Sequence, residues 1–257
     1  MNQGKYVFSQ LIEFLSPNEF NHCVLRYKGN YKVKSFSCWH QMLYMIFGQL
    51  SNRESLSDLI VCLQSQKNKS YHLGMGRGTS KANLAKANEK RDYRIYESFA
   101  SSLVAQAQAL SIPDESFELQ IDAPVYAIDA TVVDLCLNLF WWGKFRRHKA
   151  AVKLHTMLDV KTSIPTVIFI TSGAVHEINL LDHFPIEEGS YYLLDKGYIE
   201  FEKLYRIHKS AAYFVMPAKD NFAFVRLNSR TVDKQSGVIC DQTVRLKNQL
   251  VSLKYPP

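Results

Sequence analysis

The sequence predicts an α/β protein in two parts, a helical domain over residues 1–117 and a domain of strands alternating with helices over residues 118–257. Three observations carry this. Apolar residues recur at helical spacing, with capping residues, as far as Leu110. From Val125 onward the apolar runs become short and β-branched. After Pro217 they shorten again and turn residues punctuate them, which predicts a β-rich appendage to the second domain. At 47% hydrophobic and 21% charged residues, the composition is that of a globular protein and excludes a disordered or low-complexity chain. No apolar run nears the roughly 18 residues of a membrane span, and Met1–Gln10 lacks the apolar core of a secretory signal. Five cysteines, none in a CxxC pair, fit a reducing cytoplasm better than a disulfide framework or a zinc ribbon.

In the first part, Val7, Leu11, Phe14 and Leu15 share one face of a helix over Tyr6–Leu15. A second helix starts at Ser16-Pro17-Asn18-Glu19, where Ser16 caps, Pro17 suits the first helical position and Glu19 closes a capping box. Others follow over Ser37–Leu50 and after the cap Ser55. Gly74, Gly76 and Gly78 break the pattern. Thr79 and Ser80 then cap Lys81–Glu89, and a longer helix over Asp92–Leu110 ends before Ile112-Pro113.

Strands are predicted at Val125–Val133, Val152–Val160, Pro165–Thr171, Tyr191–Leu194 and Ala212–Met216, with helices at Glu177–His183 and Ile199–His208. The appendage comprises Phe222–Leu227, Gly237–Ile239, Thr243–Leu246 and Leu250–Leu253.

The formal charge of +7 points to an anionic partner, and its distribution sharpens this. Arg53–Arg94 holds nine basic and four acidic residues, and Lys144–Lys153 five basic residues and no acid. Such clusters track a phosphate backbone or simply form a solvated surface. Two helices around the glycine-bearing loop, the second rich in Lys and Asn, are compatible with a helix-turn-helix-like reader of double-stranded DNA. Lys81, Asn83, Lys86, Asn88, Lys90 and Arg91 are its contact candidates, since Lys meets phosphate or guanine and Asn pairs with adenine. A plain helical bundle accounts for the same pattern.

Asp129 and Asp195 are each attached to an apolar strand. A carboxylate there is costly to bury unless it is paired or binds a cation. At the carboxyl ends of central strands, two convergent carboxylates suit Mg²⁺, which takes oxygen ligands and keeps waters for a substrate phosphate. A cap at a strand-to-turn junction explains each acid equally simply. His148, His155, His176 and His183 show no zinc-like spacing with cysteine, and Trp141 and Trp142 read as packing residues.

The motifs "YAIDAT" (126–131) and "YYLLDKGYIEF" (191–201) resemble the first two acidic motifs of the DDE transposases of the IS4 insertion-sequence family. The segments "IFGQLS" (46–51), "LSDLI" (56–60), "NKSYHLG" (68–74) and "ANEKRDYRIYE" (87–97) resemble the N-terminal domain of unknown function (DUF4372-like) that heads one branch of that family. "KLHTMLDV" (153–160) and "GVICDQTVRL" (237–246) are similar to the same branch. The resemblance implies an N-terminal DNA-binding domain and an RNase H-like core with a β-rich insertion after its fifth strand. It places the first acid, Asp129, on the first strand and the second, Asp195, after the fourth. Both would hold Mg²⁺ or Mn²⁺ for cleavage and strand transfer at the element's terminal repeats and into target DNA. Arg146, Arg147, Lys149 and Lys153 would meet phosphates beside them. Two copies acting on paired ends, in the cytoplasm at the nucleoid, complete the expectation.

The sequence departs from the family pattern at the third acid. No tyrosine begins a Y-x2-R-x3-E-x6-K spacing, and no glutamate follows Glu202. Glu200 and Glu202 follow Asp195 too closely to replace it. The expectation is therefore an incomplete core, truncated inside the insertion and with little activity alone. A DNA-binding regulator of transposition without catalysis, and a nuclease of another kind with two core acids, are the alternatives.

Overall fold

A computed structural model of the chain describes residues 5–70, 72–110, 121–135, 144–146, 149–219, 222–247 and 254–255. The chain divides into two compact units, Met1–Ala109 and Leu110–Pro257. The boundary expected at 117/118 lies outside the described residues.

The first unit contains helices α1 (Val7–Ile12), α2 (Pro17–Arg26), α3 (Cys38–Leu50), α4 (Leu56–Ser65), α5 (Lys81–Lys90) and α6 (Arg94–Leu110). Four of them start where a serine can cap. Ser16 accepts from the Glu19 N–H, Ser37 from His40, Ser55 from Asp58 and Ser80 from Asn83, at 3.1–3.4 Å. Helix α3 is apolar nearly all round and is shared between two cores. Its Cys38 and Met42 pack with Phe20, Val24, Ile95 and Phe99. Its Leu43 and Tyr44 pack with Phe8, Leu59, Leu63, Met75 and Leu84. Between α4 and α5 the chain turns through Gly74, Gly76 and Gly78 at φ of 71°, 68° and 92°, a left-handed backbone that glycine adopts without strain.

The second unit is built on a sheet of β1 (Val125–Leu135), β2 (Lys144–Arg146), β3 (Lys149–Asp159), β4 (Ile164–Ser172), β5 (Tyr191–Leu194) and β6 (Tyr213–Val215). Strand β1 is central. It pairs antiparallel with β3, from Tyr126↔Asp159 to Leu135↔Ala150, and parallel with β5, from Val125↔Tyr191 to Ile128↔Leu194. Beyond β3 lie β2 and β4, both antiparallel to it, and beyond β5 lies β6, parallel to it. Tyr126, Ile128, Met157, Tyr192 and Leu194 alternate onto one face. There they meet Leu180, Leu181 and Phe184, together with Leu204 and Ile207 of α7 (Phe201–Lys209). The other face carries Ile168, Ile170, Tyr213 and Val215, which are exposed. Strands β7 (Phe224–Arg230) and β8 (Asp241–Leu246) form a separate antiparallel hairpin.

The helix expected over Glu177–His183 is present with those bounds, as a 3₁₀ helix. Other expectations are corrected here. Gly237–Ile239 is not a strand: Gly237 turns at a φ of 77°, and Ile239 stands 94% exposed. The short β2 was not anticipated, so Asp195 follows the fifth strand and not the fourth. Leu250–Leu253 lies outside the described residues.

Gly29 sits where a Cβ would overlap Ile95 Cδ1 and lie 2.8 Å from Cys38 Sγ. Both neighbours are fully buried, so neither can move aside freely. Gly29→Ala is expected to destabilise the first unit by about 1–3 kcal/mol, measured by urea denaturation of the full chain.

Candidate functional site

The β1–β5 ladder decides where the two acids lie. Its last register pair is Ile128↔Leu194, and Asp129 and Asp195 are the next residues on each strand. Neighbouring strands run about 4.8 Å apart, so the two carboxylates start from adjacent backbone positions. Asp129 alternates away from buried Ile128 and is exposed, as is Asp195, which stands just before the 3₁₀ turn Lys196–Tyr198 with no capping hydrogen bond from its side chain. The sheet order reverses at β1, with antiparallel neighbours on one side and parallel ones on the other. Sites in α/β sheets open at such a point, beyond the carboxyl ends of the strands.

Four further groups lie behind this region, on the covered side of the sheet. Tyr198 is fully buried, and its hydroxyl has no hydrogen-bond partner among the described residues. Burial, then the negative charges of Glu177, Asp129 and Asp195, push its phenol upward, so it stays a neutral proton donor. Glu177 opens the 3₁₀ helix after β4 and accepts from Lys153 Nζ at 3.1 Å. Lys153 Nζ also donates to the Val175 carbonyl at 3.1 Å. His155 is fully buried on β3, with Nε2 2.9 Å from Thr171 Oγ1 and Nδ1 unpartnered.

Two cations nominated as DNA contacts are used inside the fold. Lys153 has a side chain only 8% exposed and is held by Glu177. Arg91 donates to the carbonyls of Ser37 (2.9 Å) and Phe36 and to Gln41 Oε1 (2.7 Å), and it stacks on Phe36. It ties α3 to the end of α5. Asn88 likewise accepts from Gln41. Lys81, Asn83, Lys86 and Lys90 are exposed on α5, while Leu84 and Ala87 face inward. Asn83, Lys86 and Lys90 share one outer face at helical spacing, and Lys81 flanks Leu84 on the other side. Beside this helix a cavity of about 500 Å³ is lined by Tyr44, Ser70 and Thr79 and by two exposed cations, Lys67 and Arg77. Arg146 and Lys149 are opposed on the β2–β3 ladder, and Arg147, with Trp141, Trp142 and His148, lies outside the described residues.

A family model described as the transposase DDE domain matches residues 120–254, more than half of the chain. The chain belongs to the DDE transposase family. A second model, a domain of unknown function (DUF4372), matches residues 3–76 of this transposase. A protein of Sinorhizobium fredii that carries the name transposase y4zB is 27% identical over 170 residues, 65% of this chain and 46% of that protein. One of Geobacillus stearothermophilus, named as a transposase for insertion sequence element IS5377, is 25% identical over 128 residues, 48% of this chain and 34% of that protein. The transposase chain thus spans less than half the length of either relative.

The DDE family works with a divalent metal, and the donor set of this transposase fits one. Asp129 and Asp195 offer hard oxygen ligands from adjacent strands, with room on the exposed side for water and phosphate oxygens. Among the described residues no group of three or more His, Cys, Asp or Glu side chains stands close enough to hold an ion. No described helix is long and apolar enough to cross a membrane. Glu177, Tyr198 and the buried state of His155 escaped the sequence reading. The one available signal for Glu177 was an acid directly after a strand and its turn.

His155 gives the transposase core a pH dependence. Burial, with help from the Lys153 cation and against the pull of Glu177, lowers its pKa from the ordinary 6.5. Below about pH 6.5 the unfolded chain therefore binds a proton that the folded chain refuses, and stability falls as the pH drops further. The urea midpoint is expected to decline between about pH 7 and 5, and His155→Gln to decline less steeply over that range.

Proposed function

We propose that this chain supplies the DNA-binding face and the first two catalytic carboxylates of an insertion-sequence transposase of the IS4 family. The observation that carries the reading is that Asp129 and Asp195 each follow the last register pair of β1 and β5, Ile128↔Leu194, at the point where the sheet order reverses. The substrate is double-stranded DNA, at the terminal repeats of the element and then at the target. Two copies act on paired ends, in the cytoplasm at the nucleoid.

Asp129 and Asp195 would hold Mg²⁺ or Mn²⁺. When bound, the ion offsets charge that builds on the phosphate during in-line displacement. Asp129, on the exposed sheet face, leaves a phosphodiester free to approach. Tyr198 presents a neutral hydroxyl from beneath. In a nicking assay on DNA carrying the element's ends, any Mg²⁺- or Mn²⁺-dependent product should disappear with Asp129→Ala and with Asp195→Ala. A product that survives both substitutions overturns the assignment.

In the first unit, Lys86, Lys90 and Asn83, neighbours in helical projection, form the face proposed to meet DNA, and Lys81, Lys67 and Arg77 extend its positive field. Each phosphate neutralised contributes about 0.9 to the slope of log affinity against log salt. The double substitution Lys86→Ala/Lys90→Ala is expected to weaken DNA binding for all sequences alike. It should also flatten that slope by about 1–2 in a titration from low to moderate salt. An unchanged slope would remove α5 from the interface.

A further inference from the structure

Lys153 projects from β3, opposite Val132 of β1, into the covered side of the sheet. An ammonium so buried is costly without a counter-charge, and Glu177 supplies it through Oε1. The other oxygen of Glu177 has a different neighbour. A Cβ built on Gly197 would lie 3.0 Å from Glu177 Oε2 and 3.8 Å from Asp195 Oδ2. The two carboxylates therefore flank one backbone position, and a Cβ there would push Glu177 Oε2 back by a few tenths of an ångström. The next residue, Tyr198, is fully buried with an unpartnered hydroxyl, and its phenol feels the charges of Glu177, Asp129 and Asp195. The segment bearing Glu177 is itself anchored, since Lys203 donates to the Ile178 carbonyl at 2.6 Å and Arg206 to those of Leu181 and Asp182 at 2.6 and 2.8 Å.

We infer that Glu177 is a positioning residue for the catalytic pair: held by Lys153, it braces the turn Asp195–Tyr198 and so fixes the aim of the Asp195 carboxylate toward Asp129. It is not itself a ligand. One of its oxygens is committed to Lys153, and it does not complete a three-group metal set with the two acids. The inference rests on the reading of Asp129 and Asp195 as the metal-holding pair.

The test is Mn²⁺ binding by the full chain, followed by electron paramagnetic resonance, beside the melting temperature without metal. Two double variants separate brace from charge. Lys153→Met/Glu177→Gln removes both charges and keeps the shape of the brace, and its affinity should stay within about threefold of wild type. Lys153→Met/Glu177→Ala removes the same charges and the brace, and should bind about tenfold or more weakly, the scale of loss when an outer-shell partner is removed. Should that second variant not fold, Gly197→Ala, which presses on Glu177 Oε2 from the other side, should weaken Mn²⁺ binding in its place. Equal affinity of wild type and the brace-less variant, or of wild type and Gly197→Ala, overturns the inference while leaving the metal pair intact. Absence of Mn²⁺ binding by wild type, or binding that persists in Asp129→Asn, overturns the metal reading together with it.

Discussion

The second unit depends on the double pairing of β1. One edge of this strand is zipped antiparallel to β3 over ten register pairs, and the other lies parallel to β5 over four. The long ladder makes β1 rigid, and the short one decides which residue of the distant segment 191–198 comes to lie beside it. A slip of one position would turn Tyr192 and Leu194 out of the core along with the acid that follows them. The burial of those two side chains under α7 and the 177–183 segment is therefore what keeps Asp195 beside Asp129.

Electrostatics around the pair follow from the same arrangement. The acids themselves are exposed, where water solvates their charge, while the groups behind them are buried and must settle their charges internally. Lys153 does so with Glu177, His155 by staying neutral, and Tyr198 by keeping its proton. The result is a wet acidic front on a dry polar backing. In such a backing each group constrains its neighbours more strongly than it would in water.

Much of this was legible in the sequence, because local rules and tertiary structure agree over most of the chain. Ser16, Ser37, Ser55 and Ser80 announced helix starts through chemistry that acts within one turn. The β-branched runs from Val125 onward announced the strands, and the two acidic motifs stood at their ends. What could not be read were the features set by partners distant in sequence. Lys153 looks like any cation of a basic cluster until a glutamate 24 residues later is folded against it. Arg91 likewise looks like part of a Lys-rich helix face until the carbonyls of Phe36 and Ser37 arrive.

The parallel ladder also sets an order of events in folding. Between β1 and β3 only a short connection intervenes, so their antiparallel ladder closes a modest loop. Strand β5 meets β1 across 66 positions in sequence, as Val125↔Tyr191 shows. Parallel pairing of that range carries its loop-closure entropy before any contact rewards it, and such pairings form slowly. Asp129 is therefore set in place on an early, local framework. Asp195 joins it through the long-range ladder, so the acid pair depends on the part of the sheet that closes the larger loop.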